Sequence, residues 1–388
     1  MKEKYFDNAA TTPMTQPVMD VMKKEMEESW GNASTAYSYG RHSKLILENS
    51  RHMLAQSINA TDDEIVFTSG GTESDNTAII QTALSRQKLG KHIITTAIEH
   101  EAVLKPLNYL ETLGFEVTYL PVNEFGEISL DDFKAALRDD TILVTIMMGN
   151  NEVGSRMPIH EIGEILKEHQ AWFHTDAVQT YGLLPIDVKK DHIDLMSTSA
   201  HKLNGPKMMG FLYRAEGINF PSFVRGGDQE TKRRAGTENV PAVAAFAEAV
   251  SIDTPERKAK LRDRYYNFKQ IIAEKLTDAG VDFEINGHLD HESLPHVLNI
   301  WVKGVSTYVL QTDLDLAGYA ISGGSACTAG SIEPSHVLTA MFGETSPRIG
   351  ESIRISFGAL NTEEEVNGLA DAIINIINKL KDIKEVEE

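Results

Sequence analysis

The chain of 388 residues contains a single cysteine, Cys327, and so has no intrachain disulfide; a protein this long without one reads as belonging to the reducing cytoplasm. Nowhere does it hold the roughly 18 consecutive apolar residues that a membrane span requires. The opening stretch, MKEKYFDNAATTP, carries acidic side chains and no apolar run of the secretory kind, so a soluble, unprocessed protein is expected. Basic residues are in the minority: 37 Lys and Arg against 57 Asp and Glu give a formal charge of −20, which argues against binding to a nucleic-acid backbone as the main business. The one basic run, Lys232, Arg233 and Arg234, lacks interleaved aromatics and reads as a local anion or subunit contact. Thirteen histidines occur without any HExxH or CxxC spacing, so no metal site is expected. Walker and GxGxxG patterns are absent as well.

What is present is an average globular composition, 41% hydrophobic and 24% charged, long enough for two or three domains around a sizeable core. Through about residue 250, short apolar runs (EIVFTS, HIITTA, FEVTYLPV, TILVTIMM, AWFHTDA, GFLYR) alternate with amphipathic stretches such as DNTAIIQTALSRQKLG, AVLKPLNYLETLG, SLDDFKAALRD and PIHEIGEILKEHQ. That alternation predicts βαβ units in a mainly parallel sheet, with Gly90 and Gly114 as left-handed helix ends. The charged stretch IDTPERKAKLRDRY predicts a long helix leaving this domain. The segments VDFEING, HVLNIWVKG, TYVLQTDLDLAG, YAISGG and ESIRISFG read as a smaller α+β domain, and Thr362 with Glu365 as the capping box of a final helix. The expected division is a large α/β domain over 13–255 and a small α+β domain from 1–12 and 256–388, the latter carrying Cys327.

Four constellations could carry chemistry. EIVFTSGGTESDN places the turn Gly70-Gly71 before a helix starting near Thr72, where free N–H groups and the positive helix end suit a phosphate; an ordinary glycine turn is the alternative. AWFHTDAVQ ends a strand in Asp176 and Gln179, at the sheet edge where open α/β folds keep ligands; this Asp could hold a cationic ring nitrogen, or merely start a turn. Lys202, in STSAHKLNGPK, can form a Schiff base if burial or neighbouring cations lower its pKa, or can be a solvated surface lysine. Cys327 sits among Gly323, Gly324, Gly330, Ser and Thr, a wet and flexible setting for a thiol rather than the apolar surroundings of a buried filler.

Taken together, DNAATTP (7–13), SGGTESDN (69–76), EH (99–100), NNEVG (150–154), HTDAVQ (174–179), SAHKLNGPK (199–207), RAGTENV (234–240) and SGGSACTAG (322–330) resemble the NifS/IscS-like cysteine desulfurases of the fold-type I, pyridoxal-phosphate-dependent class V aminotransferase superfamily. The resemblance runs in order along nearly the whole chain. It implies that Lys202 binds pyridoxal 5'-phosphate covalently, that Thr72, Ser199 and His201 hold its phosphate, that Asp176 binds the pyridine N–H and Gln179 the phenolic oxygen, and that His100 stacks on the ring and helps move protons. It further implies that Asn151 lies near the cofactor oxygen and substrate, that Arg354 grips the carboxylate of L-cysteine, and that Cys327 attacks the substrate sulfur to leave alanine and a persulfide. Thr237 is similar to a residue that reaches the partner's phosphate across a homodimer interface. The sulfur would pass to an acceptor protein, a cluster scaffold or a thiolation enzyme. Against the family pattern, residues 31–35 read GNAST, Met208 stands where many relatives have glycine, and Gly323 and Ala329 stand where serines are common. A class V aminotransferase or selenocysteine lyase is the nearest alternative, a sulfur-relay scaffold the more distant one.

Overall fold

The computed structural model describes residues 3–323 and 334–387; Cys327 and Ala329 lie outside them. Twelve strands are formed among the described residues: β1 (Lys4–Tyr5), β2 (Ile65–Thr68), β3 (His92–Thr96), β4 (Glu116–Leu120), β5 (Thr141–Thr145), β6 (Trp172–Asp176), β7 (Leu195–Ser197), β8 (Gly210–Arg214), β9 (Phe283–Ile285), β10 (Val297–Val302), β11 (Tyr319–Ala320) and β12 (Ser352–Ser356). Seven of them build one sheet in the order β2-β8-β7-β6-β5-β3-β4. From β7 to β4 all neighbours are parallel, and β8 alone runs against both of its neighbours. The expected α/β class is borne out. All six apolar runs are strands, and β2, β3 and β5 are buried at every position, because a sheet covered on both faces demands β-branched and apolar residues throughout. The sequence reading passed over β7, whose three residues, LMS, are too few to show a period.

Helices cover both faces of this sheet. Helix α1 (Gln16–Glu28) and α2 (Ser38–Gln56) pack against the helix Val240–Ile252, which is apolar nearly all round and buries nine residues. On the other face, α3 (Gly71–Arg86) lies across β5 and β8, with α4 (Glu101–Thr112) beside it. Gly114 takes the left-handed conformation expected (φ +79°). Gly90 does not; a side chain there would meet the Asp140 carbonyl oxygen at 2.0 Å, so it is glycine because two backbones touch.

The remaining strands form two small sheets, β12-β10-β9, which is antiparallel, and the parallel pair β1-β11. Around them a second apolar cluster joins Phe6 to Phe268, Ile300, Ile355, Phe357 and Ile373, each fully buried aromatic or aliphatic side chain contributing about 1.5–3 kcal/mol relative to exposure. The long helix forms as expected over Pro255–Asp278, its cap Thr254 accepting from Arg257 N–H. The Thr362–Glu365 capping box is also present, at 3.2 and 3.3 Å.

Candidate active site

The carboxyl ends of β2, β3, β5, β6 and β7 leave the sheet at one edge, because these strands share a direction. Each delivers one predicted segment there. From β2 the chain turns through Gly70, at φ +135° and ψ −173°, a region open to glycine. A side chain on Gly71 would meet Val178 Cγ2 at 2.6 Å. The two glycines thus bring backbone, the Asp176–Gln179 turn and the start of α3 close together. That helix begins without a side-chain cap, leaving its first N–H groups for another acceptor. Thr72 is exposed in its first turn, and Ser199 Oγ lies 3.3 Å from where a Gly70 Cβ would be.

Asp176 ends β6, paired in register with Ser197 of β7. It is 7% exposed, and its Oδ1 accepts from Val178 N–H at 2.8 Å. Burial pushes its carboxyl above the usual range, while His100 and Lys202 draw it back down. Asp176 also has company that the sequence reading missed. Asp75 is 1% exposed, and burial followed by Asp176 raises it well above a normal carboxyl. Glu99 is fully buried, with its carboxylate accepting from Met147 N–H and Thr96 Oγ1; burial pushes it up to about 8. His174, on β6, lies 3.6 Å from Asp75 and bonds Thr145 and Ser197 at 2.8 and 3.0 Å; burial holds it at about 3, a neutral ring.

Lys202 lies in the turn after β7, half-buried, with Nζ donating to the carbonyl oxygens of Ala9 (2.5 Å) and Ala10 (2.9 Å). Burial, then Arg354, pushes its ammonium down to about 8, against opposite pulls from Asp176 and Asp7. The segment DNAATTP is therefore a strap across the lysine turn: Thr11 Oγ1 meets His201 Nδ1 at 3.0 Å, and Thr12 bonds both His201 O and Asn204 N. Burial, with Lys202 and Lys207 adding to it, lowers His201 to about 4. Just past this turn Met208 adopts φ +55° and is 74% exposed, the conformation that makes glycine the easier residue here.

Arg354, on β12, is buried; its Nη2 donates to Asp7 Oδ1 at 2.7 Å and its Nη1 to Asn151 O at 2.9 Å, while Nε has no partner among the described residues. Gln179 bridges Ala9 O and His296, each at 3.0 Å. His100 caps α4, its Nδ1 accepting from Ala102 N–H at 3.0 Å. Desolvation lowers its pKa, so the neutral ring carries its proton on Nε2. Thr237 is exposed and lines, with Thr68, Ser69, Met208 and Arg234, a cavity of about 230 Å³. Arg234 is tied to Glu73 of α3 at 2.9 and 3.1 Å, which anchors the Thr237 segment next to the helix start.

The chain matches known proteins over nearly its whole length. The aminotransferase class-V family model matches residues 4–369. A putative cysteine desulfurase IscS 1 of Bacillus subtilis is 55% identical over 380 residues, covering 98% of this chain and all of that protein. The cysteine desulfurase IscS of Methanosarcina thermophila is 44% identical, covering 98% of this chain and 94% of its own. Among solved structures, a NifS-like protein superposes with a TM-score of 0.90 at 34% identity, covering 97% and 99% of the two chains. A structure described as SspA in complex with cysteine gives 0.80 at 35% identity, covering 91% and 98%. The edge-on gathering of Gly70, Asp176 and Lys202 thus comes with a full-length match, and the chain belongs to the class-V aminotransferase family.

Proposed function

We propose that this protein is a cysteine desulfurase: a homodimeric, cytoplasmic, pyridoxal-phosphate-dependent enzyme that converts L-cysteine to L-alanine and leaves the sulfur as a persulfide on Cys327 for an acceptor protein, an iron–sulfur scaffold or a thiolation enzyme. The observation that carries this reading is Lys202, an amine brought to about 8 beside a buried carboxylate at a ligand-binding sheet edge. The seven-stranded, mainly parallel sheet has the arrangement of fold-type I pyridoxal-phosphate enzymes. We further propose that residues 13–255 form the large domain and 1–12 with 256–388 the small one, which the separate apolar cluster containing Phe6 supports.

The side chains fit the cofactor. A buried carboxylate with a raised pKa regains its charge beside a protonated ring nitrogen, which suits Asp176. An uncapped helix start with a glycine turn suits a phosphate, to be held by Thr72, Ser199 and His201, and by Thr237 from the partner subunit. Once bound, the cofactor supplies an electron-withdrawing ring that stabilises negative charge at the substrate Cα. Lys202 Nζ would take the Cα proton, which an amine of pKa near 8 can both accept and return. Arg354, already oriented by Asp7 and Asn151 O, offers a planar guanidinium to the substrate carboxylate. His100, which senses the charges of Asp176 and Lys202, would act as a proton donor through its Nε2–H. The Cys327 thiolate then attacks the substrate sulfur; an S–S bond forms, the C–S bond breaks, and its electron pair remains on carbon, which takes a proton and becomes the alanine methyl.

Borohydride reduction of the yellow protein followed by peptide mass mapping tests the assignment. The pyridoxyl mass is expected on Lys202, and Cys327→Ser is expected to keep the colour but release neither sulfide nor alanine. Label on another lysine with Lys202 untouched, or near-parental sulfide release by the Ser variant, would overturn the reading.

A further inference from the structure

Gln179 and His296 are 117 residues apart, yet meet with His296 Nε2 3.0 Å from Gln179 Oε1. His296 is 8% exposed, and its other nitrogen, Nδ1, is buried without a partner among the described residues. The far end of the Gln179 amide, Nε2, donates to Ala9 O at 3.0 Å, the same carbonyl that receives Lys202 Nζ. These contacts determine a tautomer. A carbonyl oxygen accepts only, so Gln179 must turn its NH₂ toward Ala9 and its oxygen toward His296. His296 must then carry its proton on Nε2, and the lone pair on Nδ1 is the group left unpaired; a proton on Nδ1 would instead bury an unused donor and set two acceptors face to face. We propose that His296 is a positioning residue: by donating from Nε2 to Gln179 Oε1 it locks the amide so that its NH₂, never its oxygen, faces the cofactor's phenolic oxygen.

This inference rests on the reading of Lys202 and Gln179 given above. His296 acts through Gln179 and touches neither substrate nor cofactor in this scheme. Burial, with Lys269, Lys202 and Arg354 facing it, pushes its imidazole down to about 3, so the ring stays neutral through any working range and the lock does not itself titrate. A second N–H on the Gln179 amide remains for the phenolic oxygen. Donation to that oxygen favours its ionised form and so lowers the pH at which the lysine-bound cofactor loses its proton. Without His296 the amide is held by the Ala9 carbonyl alone; in the fraction that flips, carbonyl lone pairs oppose the phenolate, and that midpoint rises.

The test is a pH titration of the visible absorption band of the pyridoxal-phosphate-loaded protein, without substrate. His296→Leu and His296→Asn, whose shorter amide cannot place a donor at the Nε2 position, should raise the midpoint by roughly half to one pH unit and weaken cofactor retention about 3- to 10-fold. His296→Gln, which returns a donor to that position, should restore both. In a Gln179→Ala background, His296→Asn should add no further shift, because the coupling partner is gone. Should His296→Leu fail to fold, the Asn–Gln comparison decides alone. Equal midpoints for parent, Asn and Gln variants, or an undiminished shift in the Gln179→Ala background, would overturn the positioning role while leaving the desulfurase reading intact. A parental protein that shows no borohydride-trappable band on Lys202 would overturn both.

Discussion

Lys202 can be tested before any turnover, by following how fast cofactor-free protein captures pyridoxal phosphate as the pH is raised. Only the neutral amine attacks a carbonyl. Burial and Arg354 bring this amine down to about 8, so roughly one molecule in ten is reactive at pH 7, against roughly one in 2,500 for an ordinary lysine near 10.4. Capture at pH 7 should therefore be on the order of 200-fold faster than for a solvated lysine. The sign follows from the direction of the shift: a depressed value leaves more neutral amine at a given pH, so the rate climbs about tenfold per pH unit below 8 and levels above it. Stopped-flow absorbance at constant ionic strength, from about pH 6 to about pH 9.5, reads the curve directly. Two variants move its bend in opposite directions. Arg354→Gln removes a cation that holds the amine down and should shift the bend to higher pH; Asp176→Asn removes an anion that holds it up and should shift the bend lower. A rate that keeps rising without a bend to pH 9.5, or a bend that ignores both substitutions, would refute the argument.

Two further outcomes concern the frame around the site. Glu230 is buried, accepts both terminal nitrogens of Arg51 at 2.6 and 2.8 Å and also Phe67 N–H, and stands first of three consecutive residues with φ between 48° and 67°. Glu230→Ala leaves the buried Arg51 guanidinium with only the more exposed Glu48 carboxylate and the Ile65 carbonyl and should cost about 3 kcal/mol in equilibrium urea unfolding; a loss below about 1 kcal/mol would mean that the ion pair does not hold the segment leading to Arg234 and Thr237. Met208→Gly should leave stability unchanged or raise it by up to about 1 kcal/mol, since relief of the left-handed conformation competes with added chain entropy, and a clear destabilisation in the same assay would show that the Met208 side chain contributes packing that outweighs its strain.

Much of this protein is written locally. Five strands of the large sheet, β2, β3, β5, β6 and β8, are legible because burial on both faces demands nearly continuous apolar and β-branched residues, as in EIVFTS and TILVTIMM. Gly70-Gly71 signals a strand-to-helix turn and Thr362–Glu365 a helix start through chemistry confined to a few neighbours. Asp176 and Lys202 could be singled out as candidates, since strand-end position and local composition are sequence properties, but neither could be told from a turn aspartate or a surface lysine without the ordered set of motifs around them. Tertiary structure alone decided the rest. The strap of Ala9, Ala10, Thr11 and Thr12 over the lysine turn joins residues about 190 apart, Asp7 orients Arg354 across 347 positions, and His296 reaches Gln179 from the turn before β10. Such partners leave no period, cap or spacing in the chain, because a hydrogen bond between distant segments constrains only the two ends that meet; which ends meet is settled by the packing of the sheets that carry them, and so the depressed amine of Lys202 exists only once those sheets have assembled around it.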